Sequence, residues 1–307
     1  MNSLVGYTGF VGSNLFQEGH FDRVYNSTNI EEAHGTKPDL LVYAGVRAAK
    51  YLANRDAEAD WREVSKAIEN IKAIAPKKLV LISTIDVFTD SCNKDEDAVP
   101  VIEGLHPYGL NRYRLEEWAK SYKKDDCMIV RLPGLYGMNI RKNFIYDMLT
   151  YIPAMLSADK YKDLSVKSSL IAQTYVPLEN GFFQYRSQSG AEDAVVEEFK
   201  KTGFSALNFT DSRGVFQFYG LQHLWQHIQL GLQHRIPLLH LATEPVQISE
   251  LYTYIYGTTF ANELDRPVPR YDFRTKYASL YGGAHGYIYS KAVVLADIKK
   301  FVEEYRK

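Results

Sequence analysis

The chain has 307 residues, 46% of them hydrophobic and 24% charged, which is the composition of an ordinary globular protein. Its 36 basic and 37 acidic residues leave a net charge of −1, so no global charge attracts it to nucleic acid or to a membrane surface. Two cysteines are too few for a disulfide framework or a four-ligand zinc site. They indicate a reducing compartment, and we expect a cytoplasmic protein.

Short apolar runs in the first 137 residues predict the buried strands of a parallel sheet. These runs are residues 4–6, 21–25, 39–45, 78–83 and 128–132. Helices are predicted between them, over 57–74 by a four-and-three apolar spacing and over about 108–122. Strands that alternate with helices favour an α/β fold with a Rossmann-like, doubly wound parallel sheet.

The alternation stops after Gly137, and residues 138–203 show no clear strand pattern. Further on, helices are predicted over 192–201, 221–232, 249–256 and 291–305, and a buried strand over 237–243. We therefore assign residues 1–137 and 206–245 to a dinucleotide-binding domain. Residues 138–205 and 246–307 are assigned to a smaller α/β substrate lobe over the sheet.

A glycine loop lies between the first predicted strand and the first predicted helix. Gly6 allows a tight turn, Gly9 allows the backbone to approach a pyrophosphate, and Gly12 allows the helix to pack closely. The spacing G-x-x-G-x-x-G is weak evidence alone, and a glycine-rich turn without a ligand is the alternative. Its strand–helix setting favours a dinucleotide site.

Tyr108 and Arg112 are four residues apart on a predicted helix and therefore share one face. A cation beside a phenol favours the phenolate and lowers the tyrosine pKa from ~10. A hydroxyl such as that of Thr84, at the end of the fourth strand, can hold a carbonyl oxygen beside the phenol. Together they are suited to proton transfer next to a hydride-carrying cofactor, although a surface Tyr–Arg stacking pair is the commoner origin of this spacing.

These motifs resemble those of the extended short-chain dehydrogenases/reductases of the NAD-dependent epimerase/dehydratase family. The resemblance runs through most of the chain, in residues 6–13, 43–45, 83–88, 106–109 and 131–137. It implies that Thr84 polarises a carbonyl, that Tyr108 is the acid/base and that Arg112 assists it. It also implies an NAD or NADP cofactor held by Gly6, Gly9, Phe10, Val11, Gly12, Ala44, Gly45, Arg112, Pro133 and Leu135.

The chain departs from that family at several positions. The family's tyrosine–lysine pair reads Tyr108 and Arg112, and an arginine cannot join a proton relay by losing its proton. Thr84 is followed by Ile85 and Asp86, so the acid/base pair of the dehydratase branch is not in place. Residues 25–29 offer neither a carboxylate for a ribose hydroxyl nor an arginine for a 2′-phosphate, which leaves NAD and NADP open.

The substrate implied by the resemblance is a sugar, usually carried on a nucleotide. We expect Asp86, Asn143 and His285 to contact it, the last within the aromatic, glycine-rich stretch 281–287. The alternative interpretation of residues 281–287 is a turn before the last helix. The eight histidines lack metal-ligand spacing, so no metal is expected.

The leading hypothesis is an NAD(P)-dependent epimerase or reductase that acts on a sugar by hydride transfer, with Tyr108 as acid/base. The alternative is a non-catalytic NAD(P)-binding sensor of the same fold, which Arg112 favours and which Thr84 and Tyr108 disfavour. By resemblance we expect a homodimer and no nucleic-acid or membrane partner. The stripe Trp61, Val64, Ile68 and Ile71 would lie in its interface, or would simply be core.

Overall fold

The computed structural model describes residues 1–186 and 190–306. Its strands are β1 Asn2–Val5, β2 Arg23–Tyr25, β3 Leu40–Tyr43, β4 Lys78–Thr84, β5 Cys127–Leu132, β6 Gly134–Tyr136, β7 Met155–Ser157, β8 Tyr175–Pro177, β9 Phe182–Tyr185, β10 Val215–Phe216, β11 Phe218–Gly220, β12 Leu238–His240 and β13 Val246–Gln247. Its α-helices are α1 Phe10–Glu18, α2 Lys50–Arg55, α3 Ala57–Ile74, α4 Pro107–Lys123, α5 Phe144–Thr150, α6 Ala158–Lys167, α7 Ser169–Thr174, α8 Glu192–Thr202, α9 Leu224–Gln233, α10 Ile248–Tyr256 and α11 Lys291–Tyr305.

The chain divides into two compact units. Unit 1 comprises residues 1–140, 215–246 and 270–298, and unit 2 comprises residues 141–214, 247–269 and 299–307. The assignment of the whole of 246–307 to the smaller lobe is therefore wrong for residues 270–298. These residues join unit 1 because Ile288 is part of its core and donates its N–H to the Ala242 carbonyl at 2.8 Å.

The prediction for residues 206–214 is also wrong, because they belong to unit 2. Their backbone is tied there by two hydrogen bonds at Ser212. Its N–H donates to the Asn262 carbonyl at 2.7 Å, and its carbonyl accepts the N–H of Ser249 at 2.9 Å. No change in residue composition marks the boundaries between the units near residues 214 and 270, so the sequence could not predict them.

A six-stranded parallel sheet forms the frame of unit 1, in the order β12-β5-β4-β3-β1-β2. From β1 the chain first adds β2 on one side and then crosses to add β3 on the other. This reversal makes a topological switch point between β1 and β3, which is where doubly wound sheets bind their ligands. The predicted α/β, Rossmann-like fold is confirmed.

Alternate residues of the sheet enter two separate cores. Leu4, Val42 and Val80 face the core that contains α1 and α9, whereas Leu41 and Leu79 face the core that contains α3 and α4. Both faces are covered, which is why these strands read as continuous apolar runs rather than as alternating ones.

Unit 2 contains secondary structure that the sequence did not reveal. Strands β7, β9 and β8 form an antiparallel sheet beside α6, α7 and α8. Each of these strands has only three or four residues, too few to display a period of two. One signal was present, since Asn180 and Gly181 lie in the turn between β8 and β9 and form a typical hairpin pair.

Candidate active site

The glycine loop joins β1 to α1 at the switch point. Gly6 has φ +92°, in the left-handed region that favours glycine, and its N–H donates to the Tyr25 carbonyl at 2.7 Å. A Cβ on Gly12 would lie 2.0 Å from the Gly6 carbonyl oxygen, so only glycine lets α1 begin so close to the turn. A Cβ on Gly9 would lie 3.3 Å from the Gly6 carbonyl oxygen, so there is more space at Gly9 than at Gly12.

The N-terminus of α1 has the properties of an anion site. Gly9 is its N-cap, and within the described residues no side chain caps it. Phe10 and Val11 form the first turn with Gly12, and the amides of such a first turn have no partner inside the helix. Because Gly9 has no side chain and the amides that follow it are uncapped, this loop fits a dinucleotide pyrophosphate.

Other residues expected at the cofactor also follow the ends of parallel strands. Ala44 and Gly45 come directly after β3, and the Ala44 N–H donates to the Val5 carbonyl at 2.9 Å. Pro133 separates β5 from β6, and Leu135 is the centre of β6, paired in parallel with β11. These placements agree with a ligand that lies across the carboxyl edge of the sheet.

Thr84 and Tyr108 are brought together at the end of β4. The phenol lies at the start of α4, and the Thr84 side chain is close enough to act on the pKa of the phenol, which it lowers. A Cβ on Gly109 would lie 2.0 Å from the Asp86 carbonyl oxygen, so this glycine lets α4 approach the strand end. The Tyr108 N–H donates to Asn54 Oδ1 at 3.0 Å, which fixes the first turn of the helix.

A buried ion pair holds the middle of α4 against the sheet. Glu116 on α4 accepts a hydrogen bond from Arg131 Nη2 on β5 at 2.6 Å and from Ser83 Oγ on β4 at 2.5 Å. The Arg131 and Glu116 side chains are 1% and 0% exposed, and His240 contacts the same guanidinium at 3.2 Å. Breaking such a pair by removing one partner is strongly destabilising, so α4 has a defined position.

Arg112 is engaged by groups of the protein itself. Its Nη1 donates to Asp60 Oδ2 and its Nη2 to the Arg47 carbonyl at 2.5 Å, and the side chain is only 6% exposed. The guanidinium carbon lies 4.2 Å from the centre of the Tyr108 ring. Tyrosine and arginine therefore stack as a buried pair rather than as a surface pair.

The expectation that the Tyr108 pKa lies below its ordinary value is wrong. Burial, the largest effect, raises the pKa of the Tyr108 phenol to about 12, and the carboxylates of Asp86 and Asp60 act in the same direction. Arg112 and the Thr84 side chain act in the opposite direction, as expected, but they are outweighed. Because Asp60 neutralises the guanidinium, Arg112 has less effect on the phenol than an unpaired cation would have.

Of the three residues expected at the substrate, Asp86 lies in the group around Tyr108, where its charge acts on the phenol. Asn143 belongs to unit 2, where its Oδ1 accepts the N–H groups of Ile145 and Tyr146 at 2.9 and 3.3 Å. Its φ of +89° is unusual for a residue other than glycine. His285 is exposed in unit 1, and its carbonyl accepts Arg274 Nη1 at 2.8 Å.

Lys50 completes the group around Tyr108, and the sequence did not reveal it. Its Nζ lies 2.7 Å from Asp86 Oδ1, and the lysine and aspartate side chains are 40% and 21% exposed. Lys50 is the first residue of α2, a six-residue helix too short to show a periodic pattern. The spacing from Lys50 to Asn54, four residues on one helix face, was the only signal available.

Residues 1–186 and 190–306 hold no group of three histidine, cysteine, aspartate or glutamate side chains arranged to bind a metal ion. Over the same residues, none of the helices has both the length and the apolar character needed to cross a membrane.

The fold can be compared with those of known proteins. No protein-family model and no curated protein matches the chain. Among solved structures, a hypothetical dTDP-4-dehydrorhamnose reductase from Sulfolobus tokodaii is 18% identical with a TM-score of 0.57, covering 94% of this chain and 97% of that one. The UDP-glucose 4-epimerase of Thermotoga maritima, solved with UDP-glucose, is 13% identical with a TM-score of 0.61, covering 100% and 99%.

A dTDP-4-dehydrorhamnose reductase from Bacillus anthracis, solved with NADP, is 15% identical with a TM-score of 0.61, covering 99% of this chain and 97% of that one. The chain thus has the fold of dTDP-4-dehydrorhamnose reductases and UDP-sugar epimerases over almost its full length. The fold implied by the resemblance in the sequence is confirmed.

Proposed function

We propose that the protein is an NAD(P)-dependent reductase or epimerase of a nucleotide-linked sugar, with Tyr108 as its acid/base. The observation that carries the proposal is the placement of the buried Tyr108 beside Thr84 at the carboxyl end of β4, on the same sheet edge as the glycine loop after β1. Proteins of the same fold, solved with NADP or with UDP-glucose, support the substrate and cofactor classes.

The glycine loop and the first turn of α1 would hold the pyrophosphate of the dinucleotide, and Ala44, Gly45, Pro133 and Leu135 would line its path along the sheet edge. When bound, the dinucleotide supplies the hydride acceptor or donor. No carboxylate or arginine follows β2, where Asn26 instead accepts hydrogen bonds from the Thr28 N–H and hydroxyl. NAD and NADP therefore both remain in the proposal.

The chain's own residues perform the proton transfer. Thr84 would donate a hydrogen bond to the carbonyl oxygen of the sugar, while the Tyr108 phenol delivers a proton to the same oxygen. With a pKa raised to about 12, the phenol holds its proton throughout the neutral range. A protonated phenol is ready to act as an acid, which favours reduction of a keto-sugar over oxidation of a hydroxyl.

Further features belong to this proposal. Asp86 and His285 of unit 1 would contact the sugar, and residues 1–140 would form most of the dinucleotide-binding domain. The protein would be a cytoplasmic homodimer. Arg112 would position the Tyr108 ring through Asp60 and Arg47 rather than bind the ribose, because its Nη1 and Nη2 groups already donate to those residues.

The first test is binding of NAD and NADP by calorimetry, followed by turnover across a panel of nucleotide-linked keto-sugars and sugars. Replacing Tyr108 with Phe keeps the ring and removes the hydroxyl. We expect dinucleotide affinity to be unchanged and the rate to fall by ~10²–10⁴-fold, the usual contribution of general acid/base catalysis. Hydride transfer is followed at 340 nm and epimer formation by NMR.

Two results would overturn the proposal in different ways. Equal turnover by the wild type and the Tyr108→Phe variant would assign the acid/base role to another group. A wild-type protein that binds dinucleotide and converts no member of the panel would instead support the sensor function.

A further inference from the structure

Lys50 and Asn54 connect α2 to both parts of the Tyr108 site. They are four residues apart on one face of α2. Asn54 Oδ1 accepts the Tyr108 N–H at 3.0 Å, and Lys50 Nζ lies 2.7 Å from Asp86 Oδ1. One turn of helix therefore holds the start of α4 at one end and the Asp86 carboxylate at the other.

Asp86 is fixed from the backbone side as well. Its N–H donates to Thr84 Oγ1 at 3.1 Å, and it is the middle residue of a short 3₁₀ turn, Ile85–Val87, directly after β4. The Asp86 carbonyl is the atom against which Gly109 packs. The Asp86 backbone is thus fixed beside the first turn of α4, and Lys50 is the ionic partner of its carboxylate.

We propose that the Lys50–Asp86 ion pair is electrostatically coupled to Tyr108, so that the Asp86 carboxylate acts on the phenol and Lys50 limits that action. The role in catalysis rests on the function proposed above, whereas the electrostatic coupling does not.

Several titratable groups surround Tyr108 and the ion pair. They are Lys50 on α2, Asp60 on α3, Asp86 after β4, His106 before α4, Arg112 on α4 and Tyr271. The Arg112–Asp60 pair is internally neutral, and burial together with Lys50 lowers the pKa of His106. Burial raises the pKa of Tyr271.

The two halves of the pair should therefore act on Tyr108 with opposite sign. Removing the negative charge in Asp86→Asn stabilises the phenolate, so the apparent pKa of Tyr108 falls. Removing the positive charge in Lys50→Met exposes the phenol to an uncompensated carboxylate, so the pKa rises. We expect each shift to be about one pH unit, since a neighbouring charge typically moves a pKa by ~1–3 units at ~4–6 Å.

The titration can be observed without any turnover. The full chain is prepared with 3-fluorotyrosine at position 108, whose more acidic phenol titrates at lower pH, and its ¹⁹F signal is followed against pH. The background is wild type, Lys50→Met, Asp86→Asn or the double variant. We expect the apparent pKa of this phenol to shift in opposite directions in the two single variants. In the double variant and in Lys50→Arg it should stay near the wild-type pKa.

The chain provides a matched control at the other end of the sheet. Lys77 Nζ also lies 2.7 Å from an aspartate oxygen, that of Asp39, but both precede the strands whose carboxyl ends form the site. The seven residues of β4 extend over about 20 Å, so Lys77→Met should leave the Tyr108 titration unchanged. A shift in that variant equal to the one in Lys50→Met would overturn the proposal.

Failure of this inference can be distinguished from failure of the proposed function. Shifts of Tyr108 in the same direction in both single variants, or none, would overturn the coupling even if the enzyme is active. Opposite shifts in a protein without turnover would support the coupling and count against the function. In an active enzyme, Lys50→Met should move the alkaline limb of the pH–rate profile upward and Asp86→Asn should move it downward.

Discussion

Arg112 differs in role from the side chain that the sequence pattern suggested. It was expected to act as a free cation beside Tyr108, but its charge is shared with Asp60, 52 residues earlier in α3. Asp60 also accepts a hydrogen bond from Asn111 Nδ2 at 2.9 Å, so one carboxylate organises two neighbouring residues of α4. A residue spacing can identify the cation but not the carboxylate that neutralises it.

The Arg112→Lys variant tests this positioning role. An ammonium can keep the ion pair with Asp60, but it cannot also reach the Arg47 carbonyl and lie flat over the Tyr108 ring. We expect turnover to fall rather than rise, and the free energy of unfolding to drop by about 1–3 kcal/mol because a buried carbonyl loses its donor.

The measurements are urea unfolding and hydride transfer at 340 nm, with Arg114→Lys as the control, since Arg114 lies on the same helix, 5.4 Å over the Trp61 ring. A faster Arg112→Lys enzyme would show that arginine only replaces the family's lysine.

At the scale of the element, two glycines of the loop between β1 and α1 have different roles, since Gly12 allows close packing and Gly9 leaves space for the ligand. Gly12 has no room for a Cβ, so Gly12→Ala should lower the free energy of unfolding by about 1–3 kcal/mol through overpacking. Gly9 has ordinary extended backbone angles, and a Cβ there would lie 3.3 Å from the Gly6 carbonyl oxygen. Gly9→Val should therefore fold with a smaller loss of stability than Gly12→Ala and lose at least ~10-fold in dinucleotide affinity by filling the phosphate space.

Urea unfolding and calorimetry on the two variants separate these effects. Unchanged dinucleotide affinity in a folded Gly9→Val variant would remove the pyrophosphate from this loop. Normal stability of Gly12→Ala would show that α1 can move away from Gly6.

Helix α5 in unit 2 carries a carboxyl group with a consequence for stability. Burial raises the pKa of Asp147 to about 7. Between about pH 4 and 7 the folded protein therefore holds a proton that the unfolded chain releases. This contribution to stability is complete below about pH 4 and is lost as the pH rises through 7.

Asp147→Asn should remove that dependence. The difference in unfolding free energy between the variant and the wild type should change by no more than about 4 kcal/mol between pH 4 and pH 8. Glu179→Gln, at an exposed position in the hairpin turn of unit 2, is the control and should follow the wild-type curve. If the unfolding free energies of Asp147→Asn and the wild type depend on pH in the same way, the raised pKa is refuted.

At the scale of the whole molecule, the stripe on α3 illustrates how a core and an interface share one helix. Val64 and Ile71 are fully buried in the core on the α3 face of the sheet, so the core explanation holds for them. Trp61 and Ile68 are only partly buried against it. They are the members of the stripe available to the proposed homodimer.

Light scattering at micromolar concentration should give twice the mass of one chain. Trp61→Gln should shift the protein toward monomer, because aromatic side chains supply much of the energy of such interfaces. Val166→Gln, at an apolar position in unit 2 that is 85% exposed, should leave the mass unchanged. A monomeric wild type would contradict the homodimer.

The sequence alone determined the parallel sheet, its covering helices and the glycine loop. Continuous apolar runs and helical spacings are local, so the predicted helix over 57–74 agrees with α3 and the predicted strands overlap β1 to β5. Thr84, Asp86, Tyr108 and Arg112 were recognised because each lies in or beside a short motif. The roles of these residues follow from what surrounds them, and that information is not local.

Only the tertiary structure decided the sign of the Tyr108 pKa, the pairing of Arg112 and the presence of Lys50. Burial and Coulomb interactions depend on distances in space, and the partners of Tyr108 come from residues 50 to 86, on α2, α3 and the end of β4. The return of residues 270–298 to unit 1 has the same origin. Backbone hydrogen bonds to Ala242 and packing into the core hold that segment, and neither is visible in a local pattern of residues.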